Sequence, residues 1–238
     1  MAALCVATAL AGAAPARAGE FFAIYTGKIY DGTDVTGIFG APGGSLVGQT
    51  VTVAFTFNTA TPGATLERTS DHAKLEGFGA ASPGRAVVRI GNHSASITGD
   101  YHAIAEQRDE FGPLKYDDIS HTVISDSVDI FTGNAFYADA VASVYTDLYN
   151  MVSNTNLAGP MHYQPIHGDD WGFGSFYLAS GLGGASVTTD ALGRFEVLDV
   201  VIFAPEPESW TLAILGFGMA GWALRRRSRS TVRVAFAA

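Results

Sequence analysis

The segment 49–59, QTVTVAFTFNT, carries the strongest constraint in the chain. Val51, Val53, Phe55 and Phe57 alternate with Thr52, Ala54 and Thr56. Side chains of a strand point to opposite faces in turn, so a period of two with β-branched and aromatic residues on one face predicts a half-buried strand. Similar material recurs at 21–30 (FFAIYTGKIY), 85–90 (RAVVRI), 93–106 (HSASITGDYHAIAE) and 193–204 (GRFEVLDVVIFA). Gly91-Asn92 separates two of these runs, the two-residue spacing of a β-hairpin. A second hairpin is expected within 183–203, turning at Asp190–Gly193. The segment 134–150, NAFYADAVASVYTDLYN, aligns Phe136, Ala140, Val144 and Leu148 on one face of a helix or equally of a strand; the β-rich surroundings favour strand. From Met151 to Gly174 no period is visible, and a long surface loop is expected.

Composition agrees with this pattern. Among 238 residues there are 28 glycines, only 16% are charged and 47% are hydrophobic, which suits short strands joined by tight turns around a real core. No internal repeat of fixed period is present, which argues against a solenoid or propeller. The expected fold is all-β: a single β-sandwich or jelly-roll-like domain over 19–204, followed by a C-terminal transmembrane helix.

The charge is unevenly spread. Residues 19–204 hold 21 acidic and 8 basic side chains, while the arginines gather at the C-terminal end. A body this acidic lacks the cationic surface that phosphate binding needs, so nucleic acid is excluded as a partner. The one cysteine, Cys5, lies too near Met1 for a lipoprotein signal. A chain processed after it has no thiol or disulfide chemistry.

Residues 1–18 read as a signal peptide: an apolar Ala2–Ala14 stretch, then Ala16-Arg17-Ala18, a small-x-small site with cleavage by signal peptidase expected before Gly19. No Lys or Arg precedes the apolar run, so either the start codon lies upstream of Met1 or the leader is atypical, and the former is favoured.

The other end, 205–238, has three parts in order. Pro205-Glu206-Pro207 comes first. An uncharged run, Trp210–Leu224, follows, and then a basic stop of Arg225, Arg226, Arg227 and Arg229. Fifteen helical residues reach about 22 Å, against a hydrocarbon core of about 30 Å, so the span is short and leans on snorkelling arginines. Those arginines would hold the C-terminus in the cytoplasm and leave 19–204 outside the inner membrane.

This ordered tail resembles the PEP-CTERM sorting signal. The resemblance implies an exported protein of a Gram-negative bacterium that also makes extracellular polysaccharide. It implies that exosortase, a membrane-embedded protease, recognises Pro205-Glu206-Pro207 and processes the tail. One departure is that Ser230–Ala238 runs on past the usual arginine stop. The stretch 26–57, with Gly-x-Asp, Phe39-Gly40 and Leu46-x-Gly48-Gln49, is similar to the front of other such proteins. Gly32, Gly37, Gly40, Gly43 and Gly44 there are expected to allow positive φ, with Phe39 and Leu46 plugging the loop to the core.

Chemistry-bearing constellations in the body are weak. Asp31 and Asp34 do not complete a calcium loop, because Thr36 and Pro42 stand where glycine and a bidentate glutamate belong, so they read as turn residues. MHYQPIHGDDWG brings His162, His167, Asp169 and Asp170 close in sequence, yet without the helical frame of a zinc site. Ser45 and Ser175 follow glycines without completing G-x-S-x-G. A carboxylate pair for glycoside hydrolysis is a spatial matter that spacing does not decide. Tyr137, Tyr145, Tyr149, Tyr163, Trp171, Phe173 and Tyr177 crowd the second half, and most of them are expected in the core.

The resulting expectation is a non-enzymatic protein with no metal or cofactor site. It would begin as an inner-membrane-held precursor and be delivered to the cell surface or extracellular matrix. Its partners would be signal peptidase, exosortase and extracellular polysaccharide, and its role structural or adhesive. One alternative is a carbohydrate-binding module using Trp171 or Tyr163. A second is a secreted hydrolase using Asp169 or Asp170.

Overall fold

In a computed structural model, the structure describes residues 19–109, 116–128, 135–147, 151–152, 155–166, 170–181 and 188–204. The expected signal peptide, sorting motif, transmembrane run and basic stop lie outside the described residues. So do His167, Asp169 and Tyr149.

Thirteen strands occur among the described residues. They are β1 (Glu20–Asp34), β2 (Gly44–Ser45), β3 (Thr50–Asn58), β4 (Thr65–Arg68), β5 (His72–Phe78), β6 (Gly84–Ile90) and β7 (His93–Ile97), then β8 (His102–Asp109), β9 (Asp117–Val128), β10 (Ala135–Thr146), β11 (Met161–Tyr163), β12 (Asp170–Gly181) and β13 (Thr188–Phe203). The all-β expectation holds. The architecture is one antiparallel sheet in the order β4-β5-β8-β9-β10-β12-β13-β1-β3-β6-β7, with β2 on β1 and β11 on β13. Gly19–Ala204 forms a compact unit by itself.

The sheet curls until β1 and β3 face β9 across the core. Inward side chains divide by size. β1 and β3 supply Phe21, Tyr25, Phe55 and Phe57, whereas β5, β8 and β10 supply Ala73, Ala103, Ala105, Ala138, Ala140 and Ala142, all buried. Large rings from one half fill the room left by small methyls in the other, the interdigitation that native packing density requires.

At the centre sits His121 of β9, fully buried. Its Nδ1 lies 2.7 Å from the Tyr25 hydroxyl, and the rings of Phe21, Tyr25, Phe55 and Phe57 surround it at 5.4–6.3 Å. Nε2 has no hydrogen-bond partner. We assign the tautomer in which the tyrosine O–H donates to Nδ1 and Nε2–H points among the phenyl rings, whose faces tolerate an N–H. Desolvation pushes the imidazole pKa down to about 3 and raises that of Tyr25, with Asp118 adding to the rise.

The loop after β1 is organised by one buried carboxylate. Asp34 accepts the backbone N–H groups of Gly37 and Ile38 on Oδ1, at 3.0 and 2.8 Å, and that of Phe39 on Oδ2 at 2.8 Å. Gly37 supplies the positive φ (87°) that the tight turn needs. Phe39 and Leu46 are then buried as expected, Phe39 meeting Phe176 edge-on at 5.5 Å. Asp31 is exposed, so the two aspartates serve different ends. Positive φ occurs at Gly37 and Gly43 but not at Gly32, Gly40 or Gly44.

Two strand expectations hold and three need correction. The Gly91-Asn92 hairpin forms, with Gly91 at φ 59° and Ile90 opposite His93. The run 93–106 is two strands. Gly99, at φ 70°, turns the chain there, and its N–H donates to Ser125 Oγ at 2.9 Å. Asp190–Gly193 is not a turn but lies inside β13. Gly193 sits beneath the Phe176 ring, where a Cβ would approach to 2.4 Å, and the Asp190 carbonyl accepts Val35 and Thr36 N–H. The expected 151–174 loop contains β11 and the first five residues of β12. Glycines at 172 and 174 lower strand propensity, yet Gly174 is required there, since a Cβ would come within 2.1 Å of the Phe195 ring. Residues 135–146 are strand, resolving the two-way pattern.

Two outcomes follow. His121 takes up a proton in the unfolded chain from pH 6.5 downward and in the folded chain only near about 3, so the unfolded state binds more protons and stability falls as pH drops through that window. From about pH 7 to about pH 5 the loss from this group is about 2 kcal/mol. Burial raises the carboxyl pKa of Asp117, Asp118 and Asp139 and so works in the opposite sense. Those groups cancel when wild type is compared with His121→Met, which should lack the histidine component in urea melts at both pH values. Asp34→Ala leaves three turn amides without their acceptor. It should destabilise the domain by about 2–4 kcal/mol in the same melts, and Asp34→Asn by less.

Candidate functional site

The inward side of β10 is filled by alanines and Val144, so the alternate residues face out, and the register aligns them with neighbours on both sides. One transverse row runs His72–Arg108–Asp118–Tyr145–Trp171 across β5, β8, β9, β10 and β12. The next runs Lys74–Glu106–Ser120–Ser143–Phe173–Glu196 and reaches β13. Trp171 is 68% exposed and Phe173 54%. Tyr145 is half-buried, its ring 5.5 Å from that of Tyr116. Further along β12, Tyr177 lies 5.9 Å from Tyr137, and its hydroxyl is 3.0 Å from Thr189 Oγ1.

Polar groups are threaded through this face. Glu106 Oε1 accepts from Arg108 Nη2 at 2.6 Å and Nε at 2.8 Å and lies 2.9 Å from His72 Nε2. Arg108 Nη1 donates to the Tyr116 hydroxyl at 3.1 Å. Ser143 Oγ donates to Asp118 at 2.9 Å. Burial works to raise the Glu106 carboxyl, yet the Arg108 and His72 partners hold it below its ordinary value. Asp118 goes the other way: desolvation raises it against the Ser143 bond. The face thus offers hydrogen-bonding carboxyls of opposite tendency beside flat rings, an arrangement suited to hydroxyl-rich ligands.

The aromatic expectation fails in a specific way. None of Tyr137, Tyr145, Tyr163, Trp171, Phe173 and Tyr177 is fully buried. Five of them line the outward face of β10 and β12, because the opposite half of the sheet already supplies the large rings. Tyr163 differs: it is partly buried and packs against the core, away from the β12 row. In HAIAEQRD (102–109) and DDISHTVI (117–124) the buried face carries Gln107, Asp109, Asp117 and His121 as well as Ala103, Ala105, Ile119 and Val123, so polar residues fall on both faces and alternation alone does not single out Glu106, Arg108 and Asp118.

The histidine–aspartate stretch separates. His162 Nε2 lies 2.6 Å from Asp199 Oδ1, with a 62% exposed imidazole, and Gln164 donates to the same oxygen at 3.2 Å. Asp170 Oδ2 instead accepts the Ile166 N–H at 3.1 Å, a loop-closing bond. Among the described residues, no group of three or more His, Cys, Asp or Glu is disposed to hold a metal ion. Nor is any helix among them long and apolar enough to cross a membrane.

The two ends of the unit matter for the flanking segments. At one, the Gly19 carbonyl accepts the Thr59 N–H at 3.0 Å; Ala16 and Ala18 lie outside the described residues. At the other, Phe203 stacks on Phe22 at 5.3 Å, and the folded unit stops at Ala204. The family model of the PEP-CTERM protein-sorting motif matches residues 204–227. The chain carries a PEP-CTERM sorting signal. It is therefore an exported protein that passes the membrane and is sorted and processed by exosortase. No curated protein matches the chain. The PEP-CTERM match takes in Pro205, Glu206, Pro207, Arg225, Arg226 and Arg227 and begins at the last residue of the folded unit; Arg229 lies just beyond it.

Trp171 is the only tryptophan between Gly19 and Ala204, so a protein processed at the PEP motif has a single reporter on this face. Its emission should be that of a water-exposed indole and be strongly quenched by acrylamide while the domain is folded. Urea unfolding should move the emission maximum little. A blue emission that shifts red on unfolding would place Trp171 in a core instead.

Proposed function

We propose that this is a non-enzymatic component of the cell surface or extracellular matrix, structural or adhesive, working in association with extracellular polysaccharide. Signal peptidase opens the chain before Gly19, and the tail holds the precursor in the inner membrane. Exosortase then separates the β domain from that anchor near Pro205-Glu206-Pro207. The observation that carries the reading is the junction: the last strand ends at Phe203, and the sorting motif starts one residue later. A cut there frees a finished domain without unpairing β13 from β1. The polar and aromatic outer face supports a role in contact with hydroxylated polymer, and the acidic body keeps a shed domain soluble and away from phosphate polymers.

The test is the intact mass and location of the protein in its own host, with and without exosortase. Expected is a mature species beginning at Gly19 and ending near Pro205, outside the inner membrane and co-fractionating with extracellular polysaccharide, only when exosortase is present. A species that keeps Trp210–Ala238 in the inner membrane of both strains would overturn the processing step.

A further inference from the structure

The outward face of β12 bears a line of rings. Trp171, Phe173 and Tyr177 occupy alternate positions of one strand with Ser175 between the last two; no register shift interrupts β12 against β10 over these residues, or against β13 from Phe173 to Tyr177. At about 3.3 Å per residue the line is about 20 Å long. Tyr145 stands beside Trp171 at its start, and Tyr137, 5.9 Å from Tyr177, at its end. Hydrogen-bonding side chains border it on both flanks. On β10, Ser143 is opposite Phe173 and Asp139 opposite Tyr177. On β13, Glu196 is opposite Phe173 and Arg194 opposite Ser175.

A large ring left in water forgoes up to about 1.5–3 kcal/mol of burial free energy, and here three such rings lie along one face of one strand. A partner that covers such a track needs flat, weakly polar faces at short repeats and polar groups at its edges. Sugar rings meet both demands, since their C–H faces lie on aromatic rings while equatorial hydroxyls reach sideways. Charge narrows the class. The domain has 21 acidic against 8 basic side chains, and the track is flanked by Asp139, Glu196 and, next to Tyr145, Asp118. A polyanionic polymer would be repelled along its length.

We propose that the outward face of β12 is a binding track for a neutral, linear polysaccharide, with Trp171, Phe173 and Tyr177 stacking successive sugar rings along the strand. This rests on, and sharpens, the polysaccharide association proposed above. Ser143 and Arg194 hydrogen-bond the hydroxyls on either side. Because one sugar meets one ring, affinity builds with chain length until the track is covered.

The experiment uses the exosortase-processed protein and follows Trp171 emission. Cellohexaose, cellobiose and soluble xylan serve as neutral glycans and alginate as the anionic one. Expected is a saturable blue shift with cellohexaose or xylan, at least tenfold tighter than with cellobiose, and no response to alginate. Phe173→Ala should weaken binding fivefold or more with the urea midpoint unchanged, and Tyr177→Ala should weaken it as much while lowering the midpoint modestly, through loss of its contacts with Thr189 and Tyr137. Absence of a saturable response to the neutral glycans, equal affinity for dimer and hexamer, or preference for alginate would each overturn the track. So would a blue shift that grows with protein concentration in the absence of glycan, since a second copy would then cover the face. The outcomes separate from those of the broader reading. If the Phe173→Ala and Tyr177→Ala proteins still co-fractionate with host polysaccharide as wild type does, the track falls and the matrix role stands. If wild type does not co-fractionate, the matrix role falls whatever the glycan titration shows.

Discussion

The hydrogen bond between Tyr25 and His121 joins two strands 96 residues apart in sequence across the middle of the core. It is a polar link set among the rings of Phe21, Phe55 and Phe57. Burial makes it consequential. An unpaired buried hydroxyl or imidazole nitrogen carries a penalty of about 1–3 kcal/mol, so each group constrains where the other lies. That constraint fixes how far the sheet curls and which residues of β9 face β1. The four rings around His121 keep the imidazole neutral, and a neutral imidazole is what the cavity tolerates.

The distribution of large and small side chains follows from the same curl. With Phe21, Phe55 and Phe57 meeting His121 from one side, the facing strands are rich in inward alanines beside Leu75, Ile119, Val123 and Val144. β10 is the clearest case: Ala138, Ala140 and Ala142 point in, and Tyr137 and Tyr145 stand on the other side of the pleat. β12 shows the same division more sharply, because Gly172 and Gly174 occupy the inward positions beside Val197 and Phe195. Rings that find no room inside stand outside. The outer face is therefore a by-product of core packing as well as a surface with chemistry of its own.

Much of the sheet was legible as period-two alternation, most plainly in β3 and β13, and the Gly91-Asn92 hairpin was legible as turn chemistry. The misreadings have identifiable causes. Asp190–Gly193 has the composition of a turn, yet Gly193 is there to make room for Phe176. Residues 170–174 have the glycine content of a loop, yet Gly174 lies flat beneath Phe195. In both places glycine answers a close approach by a ring, which depends on residues distant along the chain. The aromatic cluster was placed inside because rings are usually buried; the opposing half of the sheet had already taken that volume. Asp34 read correctly as a turn residue, while its three backbone partners became visible only with the loop folded.

By itself the sequence determined two things: a chain of alternating strands, and a tail that addresses an exported protein to exosortase. Both are local. Alternation needs only neighbours two residues apart, and a sorting signal is read as a short linear segment. The tertiary structure alone decided which side of each strand is core, that His121 is buried as a neutral partner of Tyr25, and that Trp171, Phe173 and Tyr177 share the outward face of β12. The reason is that a strand offers two faces of comparable chemistry, and the choice between them rests on the volume and polarity of the layer folded against it.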